Sequence, residues 1–161
     1  MERLWATWRL DYVSGEKKST ECIFCAFPKE NEDEKYKILY RGKYSYIIMN
    51  AFPYSNGHLM VIPYRHTSDI TDLKEEECTE IMLLGQKAVK ALKAVYSPHG
   101  FNIGWNIGDA GGAGIAAHLH MHVVPRWNGD TNFMLVVGET RVIPEDINVS
   151  YKKIKIELDK L

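Results

Sequence analysis

The run His118-Leu119-His120-Met121-His122 places three of the chain's six histidines within five residues, followed by Val123-Val124-Pro125-Arg126. Side chains alternate faces along a strand, so His118, His120 and His122 are expected on one face and Leu119, Met121 and Val123 on the other. Imidazole titrates near neutrality, so such a ring can attack as a neutral nucleophile, donate a proton or bind a metal. A half-buried strand that merely happens to be rich in histidine accounts neither for the alternation nor for the segment before it. That segment runs from Asn106 to Gly114 and holds four glycines in the seven positions from Gly108. Glycine opens backbone conformations closed to other residues, and successive N–H groups in such a turn form a concave anion site. Alone it would read as a flexible hairpin. Beside convergent imidazoles it supplies phosphate donors next to nucleophilic or protonated rings, the parts needed to displace a group at phosphorus.

Cys22-Ile23-Phe24-Cys25 is a second cluster, and a C-x-x-C serves either zinc or redox chemistry. No βαβ pattern of the thioredoxin kind surrounds it, which favours zinc. A structural zinc takes four ligands, and two Cys with two His is an ordinary set. Cys78 falls outside this pattern, on a predicted helix, and is expected to be buried. His99 follows Pro98 in a turn and reads as surface.

The elements that must position these groups are mostly strands. Lys37–Arg41 and Tyr44–Met49 flank Gly42-Lys43, which reads as a two-residue hairpin turn. Asn50–Gly57 is a loop, and His58–Ile62 a third strand stopped by Pro63. Asp72 with Glu75 resembles a capping box, after which Ile81, Leu84, Ala88, Leu92 and Val95 recur at helical spacing until Pro98. Phe101–Ile107 and Leu119–Val124 are the fourth and fifth strands, and Pro125 is expected to break the alternation, leaving the face of Arg126 open. The tail from Val149 to Leu161 predicts a short terminal helix. Lys29–Lys35 is a charged, solvated loop, Ser14–Thr20 another loop, and the aromatic start with Trp5, Trp8 and Tyr12 must dock on its own core or a partner subunit. Strands around one long helix predict an α+β domain with an antiparallel sheet of about five strands.

The 161 residues are expected to form a single domain, with a core over about 22–127, an N-terminal aromatic segment and a C-terminal extension. A formal net charge of −1 argues against a nucleic-acid binder, though a local phosphate pocket fits it. The chain lacks an apolar run long enough for a membrane span and opens without a signal pattern. Its three cysteines, an odd number, argue against a disulfide scaffold. The expected compartment is the cytoplasm.

His118 through Val124 resembles the H-x-H-x-H-x-x signature of the histidine triad (HIT) family, with hydrophobic trailing positions. Asn50 and Gly57-His58-Leu59-Met60-Val61-Ile62-Pro63 are similar to that family's ribose-binding strand and its G-H-x-x-V-x-P segment, so the likeness covers about residues 22–127. The blocks Leu4–Arg9 and Pro125–Met134 look like its bacterial diadenosine tetraphosphate phosphorylase-like branch.

The resemblance implies that His120 attacks the α-phosphate of a nucleoside phosphate and forms a nucleotidyl-imidazole. It implies that His122 contacts the phosphate and leaving group and that His58 supports the triad from behind. Asn50 would hold ribose hydroxyls, Ile23 and Phe24 the base, and Asn106 with the backbone of Gly112, Ala113 and Gly114 the phosphate. His58 and Phe24 are also readable as plain core residues. Where many relatives place a polar Gln-Ser or Gln-Thr pair this chain has Gly114-Ile115, so main-chain donors must do more. His66 and His118 would complete a structural Zn²⁺ site with Cys22 and Cys25.

The expected substrate is a nucleotide or dinucleoside polyphosphate such as diadenosine tetraphosphate, with water or inorganic phosphate as acceptor. A nucleoside phosphoramidate hydrolase is the alternative within the family. Outside it stand a zinc hydrolase using all three triad histidines and a nucleotide-binding interaction module. A homodimer with one continuous sheet is implied, with Trp127 and the aromatic N-terminus as interface pieces.

Overall fold

Short apolar runs build the central strands, and the computed structural model describes residues 21–131 and 142–161. Five strands, β1 (Ile38–Arg41), β2 (Ser45–Met49), β3 (Leu59–Pro63), β4 (Gly100–Trp105) and β5 (Met121–Arg126), lie in the order β1-β2-β3-β5-β4. Every neighbouring pair is antiparallel. Among the described residues, four α-helices accompany the sheet: α1 (Ile23–Ala26), α2 (Asp33–Tyr36), α3 (Glu75–Tyr96) and α4 (Ile147–Leu158). The aromatic segment at Trp5, Trp8 and Tyr12, and the block Asn132-Phe133-Met134, lie outside the described residues. Among the described residues, no helix is long and apolar enough to cross a membrane.

The period-two pattern sorts the sheet into two faces. One face carries Ile47, Met49, Leu59, Val61, Met121 and Val123, buried beneath Ile81, Leu84, Ala88 and Leu92 of α3 and Tyr151, Ile154 and Leu158 of α4. The other carries Ile38, Tyr46, Ile48, Met60 and Ile62 beneath Phe24 of α1. His122 belongs to this second face, paired across to Met60, and its ring meets buried His58 there.

Several boundaries differ from expectation, each for a local reason. The hairpin reverses at Lys43-Tyr44, not Gly42-Lys43, because the Gly42 N–H closes on the Ser45 carbonyl at 2.8 Å. Glu80 of α3 then accepts the N–H groups of Lys43, Tyr44 and Ser45 at 2.6–2.7 Å, tying the turn to the helix. Helix α3 starts later than an Asp72 cap requires: Glu77 reaches back to the Lys74 N–H at 2.8 Å, and Asp72 ends a separate 3₁₀ turn, Ile70–Asp72. Ser97, in the left-handed region at φ 45°, ends α3 just before Pro98. Cys78 is exposed, not buried, since it lies beside rather than within the buried stripe of Glu77, Ile81 and Leu84. The charged run is partly helical, in the 3₁₀ turn Phe27–Lys29 and in α2. Helix α4 begins at Ile147, ahead of the predicted Val149, because Asp146 caps it by accepting the Asn148 N–H at 2.8 Å.

Pro125 does not interrupt β5. It pairs with Phe101, and its carbonyl accepts the Ser55 hydroxyl at 2.8 Å. The N and C=O of one strand residue face the same side. The missing N–H therefore points past the end of β3, whose pairing with β5 reaches only to Val123, and no ladder bond is lost.

Candidate active site

His120 and His122 sit at the start of β5 with ring centroids 4.9 Å apart. Strand β5 begins at Met121, so His118 and His120 precede the regular strand predicted to hold them. The chain is nonetheless pinned there by the Leu119 N–H on the Thr67 carbonyl at 2.8 Å. His118 and His120 both pack on Phe24, at 5.6 and 5.3 Å between ring centroids.

Backbone partners assign a tautomer to each ring. His120 Nδ1 lies 2.8 Å from the His118 carbonyl, which can only accept, so Nδ1 carries the proton and Nε2 the lone pair. His58 Nδ1 accepts the Tyr54 N–H at 3.0 Å, so its proton resides on Nε2, 2.9 Å from His122 Nδ1. His122 Nδ1 is thereby the acceptor and its Nε2 carries the proton; the Asn106 amide lies 3.5 Å away and can accept that proton only through its oxygen. In its neutral form His120 thus presents a nucleophilic nitrogen at Nε2, while its neighbour presents an N–H. His58, fully buried, holds the second by its far edge.

Burial, reinforced by the His122 and His120 rings, pushes His58 down to about 3, and burial with His120 pushes His122 down to about 4. Both rings are neutral at pH 7, as the tautomers require. An unfolded chain would protonate them near 6.5, so it takes up protons that the native rings refuse. Stability is therefore expected to be complete above about pH 6.5 and to fall toward pH 4, by at most about 1.4 kcal/mol per pH unit for each ring. Urea midpoints across that range check it; a midpoint unchanged between pH 7 and pH 4.5 would mean the rings titrate normally.

The remaining predicted contacts are gathered around the same face with differing freedom. Phe24 is buried and Ile23 partly exposed. Asn50 is 9% exposed, and its Oδ1 already accepts the Phe52 N–H at 2.8 Å. In the glycine loop the N–H groups of Gly111, Gly112 and Ala113 donate to carbonyls of the loop itself. That turns two of the expected donors, Gly112 and Ala113, inward. A Cβ on Gly111 would stand 2.3 Å from the Ile107 carbonyl oxygen, so only glycine allows this tight coil. Tyr54, whose ring stacks 5.6 Å from His122, joins the site although no residue-type signal singled it out within its loop.

Cys22, Cys25, His66 and His118 converge separately, with all four ligand atoms within 4.8 Å of one another. His118 donates Nε2–H to the Pro63 carbonyl at 2.9 Å, which leaves its Nδ1 lone pair facing the sulfurs at 3.4 and 3.5 Å and His66 Nδ1 at 3.2 Å. Zinc bonds of roughly 2.0–2.3 Å in a tetrahedron give ligand–ligand edges of roughly 3.3–3.8 Å, so these donors fit a zinc ion in both chemistry and spacing. The cluster could hold a metal. A zinc centre shared by all three triad histidines finds no common point, because their Nδ1 atoms face a thiol pair, a carbonyl and His58 respectively.

Residues 31–129 match the family model described as HIT domain. The chain is 41% identical over 152 residues to a Mycobacterium tuberculosis protein named AP-4-A phosphorylase, covering 90% of this chain and 78% of that one. Among solved structures it resembles a Zn-bound histidine triad family protein from Mycobacterium smegmatis, with 30% identity, a TM-score of 0.71 and coverage of 88% and 96% of the two chains. It also resembles a histidine triad nucleotide-binding protein from Sulfolobus tokodaii, with 26% identity, a TM-score of 0.69 and coverage of 87% and 93%.

Proposed function

The chain belongs to the HIT-domain family, and from that premise we propose that it cleaves dinucleoside polyphosphates at the α-phosphate through a nucleotidyl-histidine on His120. The observation that carries the reading is the His120 Nδ1 contact with the His118 carbonyl, which leaves Nε2 as the nitrogen available for attack on a ring whose centroid lies 4.9 Å from that of His122. His120 Nε2 bonds to the α-phosphorus as the bond to the bridging oxygen breaks. The departing nucleoside polyphosphate leaves as an anion, so His122 needs only to donate a hydrogen bond and keeps its proton. His58 prevents His122 from turning its lone pair toward the substrate. Phe24 and Ile23 provide an apolar wall for the base, Asn50 a polar group for the ribose, and Asn106 with the Gly114 end of the loop the phosphate contacts.

Phosphate is proposed as the acceptor that returns the nucleotidyl group, in keeping with the name of the M. tuberculosis relative. With diadenosine tetraphosphate, ATP leaves first; phosphate then yields ADP, whereas water yields AMP. Chromatography of products with and without millimolar-order phosphate is expected to give ATP plus ADP when phosphate is present. AMP formation indifferent to phosphate, with no ADP, would leave a hydrolase in place of a phosphorylase.

Zinc at Cys22, Cys25, His66 and His118 is proposed as structural: four protein ligands complete the tetrahedron and leave no position for an activated water. A homodimer is also part of the reading. Strand β4 is a sheet edge, and Ile103 lies with Met82 and Val89 of α3 around an apolar hollow suited to a second copy. The cytoplasm is the compartment proposed for this chemistry.

A further inference from the structure

Because β5 continues through Pro125, His122, Val124 and Arg126 stand on the same face, paired across to Gly104, Asn102 and Gly100 of β4. Cβ atoms on Gly100 and Gly104 would meet nothing within 4 Å, so this stretch is a trough. A cavity of 360 Å³ opens over it, with His122, Tyr54 and Asn106 lining it alongside Val124, Asn102 and Arg126.

Arg126 is held rigidly in this cavity. Asp130 takes Nε and Nη2 at 2.6 and 2.8 Å, and Asn102 Oδ1 takes Nη1 at 2.6 Å. Three of the five guanidinium N–H groups are thus engaged, and one remains on each terminal nitrogen. Displacement at phosphorus places nucleophile and leaving group in line. With His120 on the Phe24 side of His122, the leaving group departs on the other side, along the trough toward Arg126. Four residues of strand span roughly 13 Å, a distance suited to the far phosphates of a chain and too long for a small leaving group.

We propose that Arg126, positioned by Asp130 and Asn102, forms with Asn106 a subsite for the polyphosphate chain of the leaving group, which selects dinucleoside polyphosphates over nucleotides with short leaving groups. This rests on the reaction proposed above and names its substrate class. Arg126 is a specificity residue here, not a catalytic one.

The test compares wild type with Arg126→Gln and Arg126→Lys on diadenosine tetraphosphate and on adenosine 5′-phosphoramidate, whose leaving group ends at the α-phosphate. Loss of one or two charge-assisted hydrogen bonds is expected to lower kcat/KM for the tetraphosphate about tenfold to a hundredfold in Arg126→Gln. Arg126→Lys should lose less, and the phosphoramidate should be cleaved within about twofold of wild type by both. Equal losses on the two substrates would make Arg126 a purely structural partner of Asp130 and overturn the subsite. So would a changed KM for inorganic phosphate with an unchanged KM for the tetraphosphate, which would assign Arg126 to the acceptor. Calorimetric binding of inorganic tripolyphosphate gives a readout independent of turnover. Weaker binding by Arg126→Gln supports the subsite even if wild type cleaves no dinucleoside polyphosphate, in which case the proposed reaction fails and the anion subsite stands. Equal binding by wild type and Arg126→Gln overturns it.

Discussion

His120→Ala is expected to abolish turnover of diadenosine tetraphosphate, by several orders of magnitude, while the protein stays folded and still binds nucleotide. A lost contact costs a factor; a lost covalent nucleophile removes the reaction path. The neighbours give no ready substitute. His122 presents an N–H and is held in that tautomer by His58, and His118 faces Cys22 and Cys25. The structural cost is local: the His118 carbonyl loses its Nδ1–H donor and the Phe24 ring loses a face, together about 1–3 kcal/mol. Circular dichroism and nucleotide binding by the variant separate chemistry from folding. In the wild type, protein denatured at alkaline pH after brief incubation with labelled substrate should retain nucleotide, because a phosphorus–imidazole bond is stable to base and labile to acid. A variant with even a tenth of wild-type activity would require a different attacking residue.

Joint replacement of Cys22 and Cys25 by serine is expected to remove bound zinc and lower the melting temperature by many degrees, with a smaller effect on the chemical step in protein that survives. Cys22 and His118 are 96 residues apart in sequence, so the cluster closes a loop over most of the described chain. Such a link stabilises mainly by restricting the unfolded state, and it fastens α1, with Phe24, over His120. Burial and the adjacent Cys22 thiol push the Cys25 thiol upward, so metal uptake should release protons and weaken as pH falls. Metal analysis of both proteins is decisive: about one zinc per chain in the double variant would show that the ion lives elsewhere.

Much of this architecture was legible because it depends on short-range pattern. The unbroken apolar runs Tyr46–Met49 and Leu59–Ile62 name strands buried on both faces, and the helical spacing of Ile81, Leu84, Ala88 and Leu92 names a buried helix face, without knowledge of the partner. Boundaries were less legible where a distant group intervenes. Glu80 decides how the β1–β2 turn is held, from 35–37 residues away, and Glu77 displaces Asp72 as the group capping α3. Pro125 misleads as a strand breaker because its tolerance depends on where β3 stops pairing, which no local pattern encodes.

By itself the amino-acid sequence determined that histidines alternate at the head of a strand, that a glycine coil precedes them, and that a C-x-x-C lies far upstream. Those are properties of residue type and spacing. Only the tertiary structure decided how three chemically identical rings divide their work. The Pro63 carbonyl turns His118 toward the cysteines, the His118 carbonyl frees Nε2 of His120, and the Tyr54 N–H, acting through His58, makes His122 a donor. An imidazole's role follows from which nitrogen holds the proton, and that is set by the partner at its other edge, a backbone group or buried ring brought there by the fold.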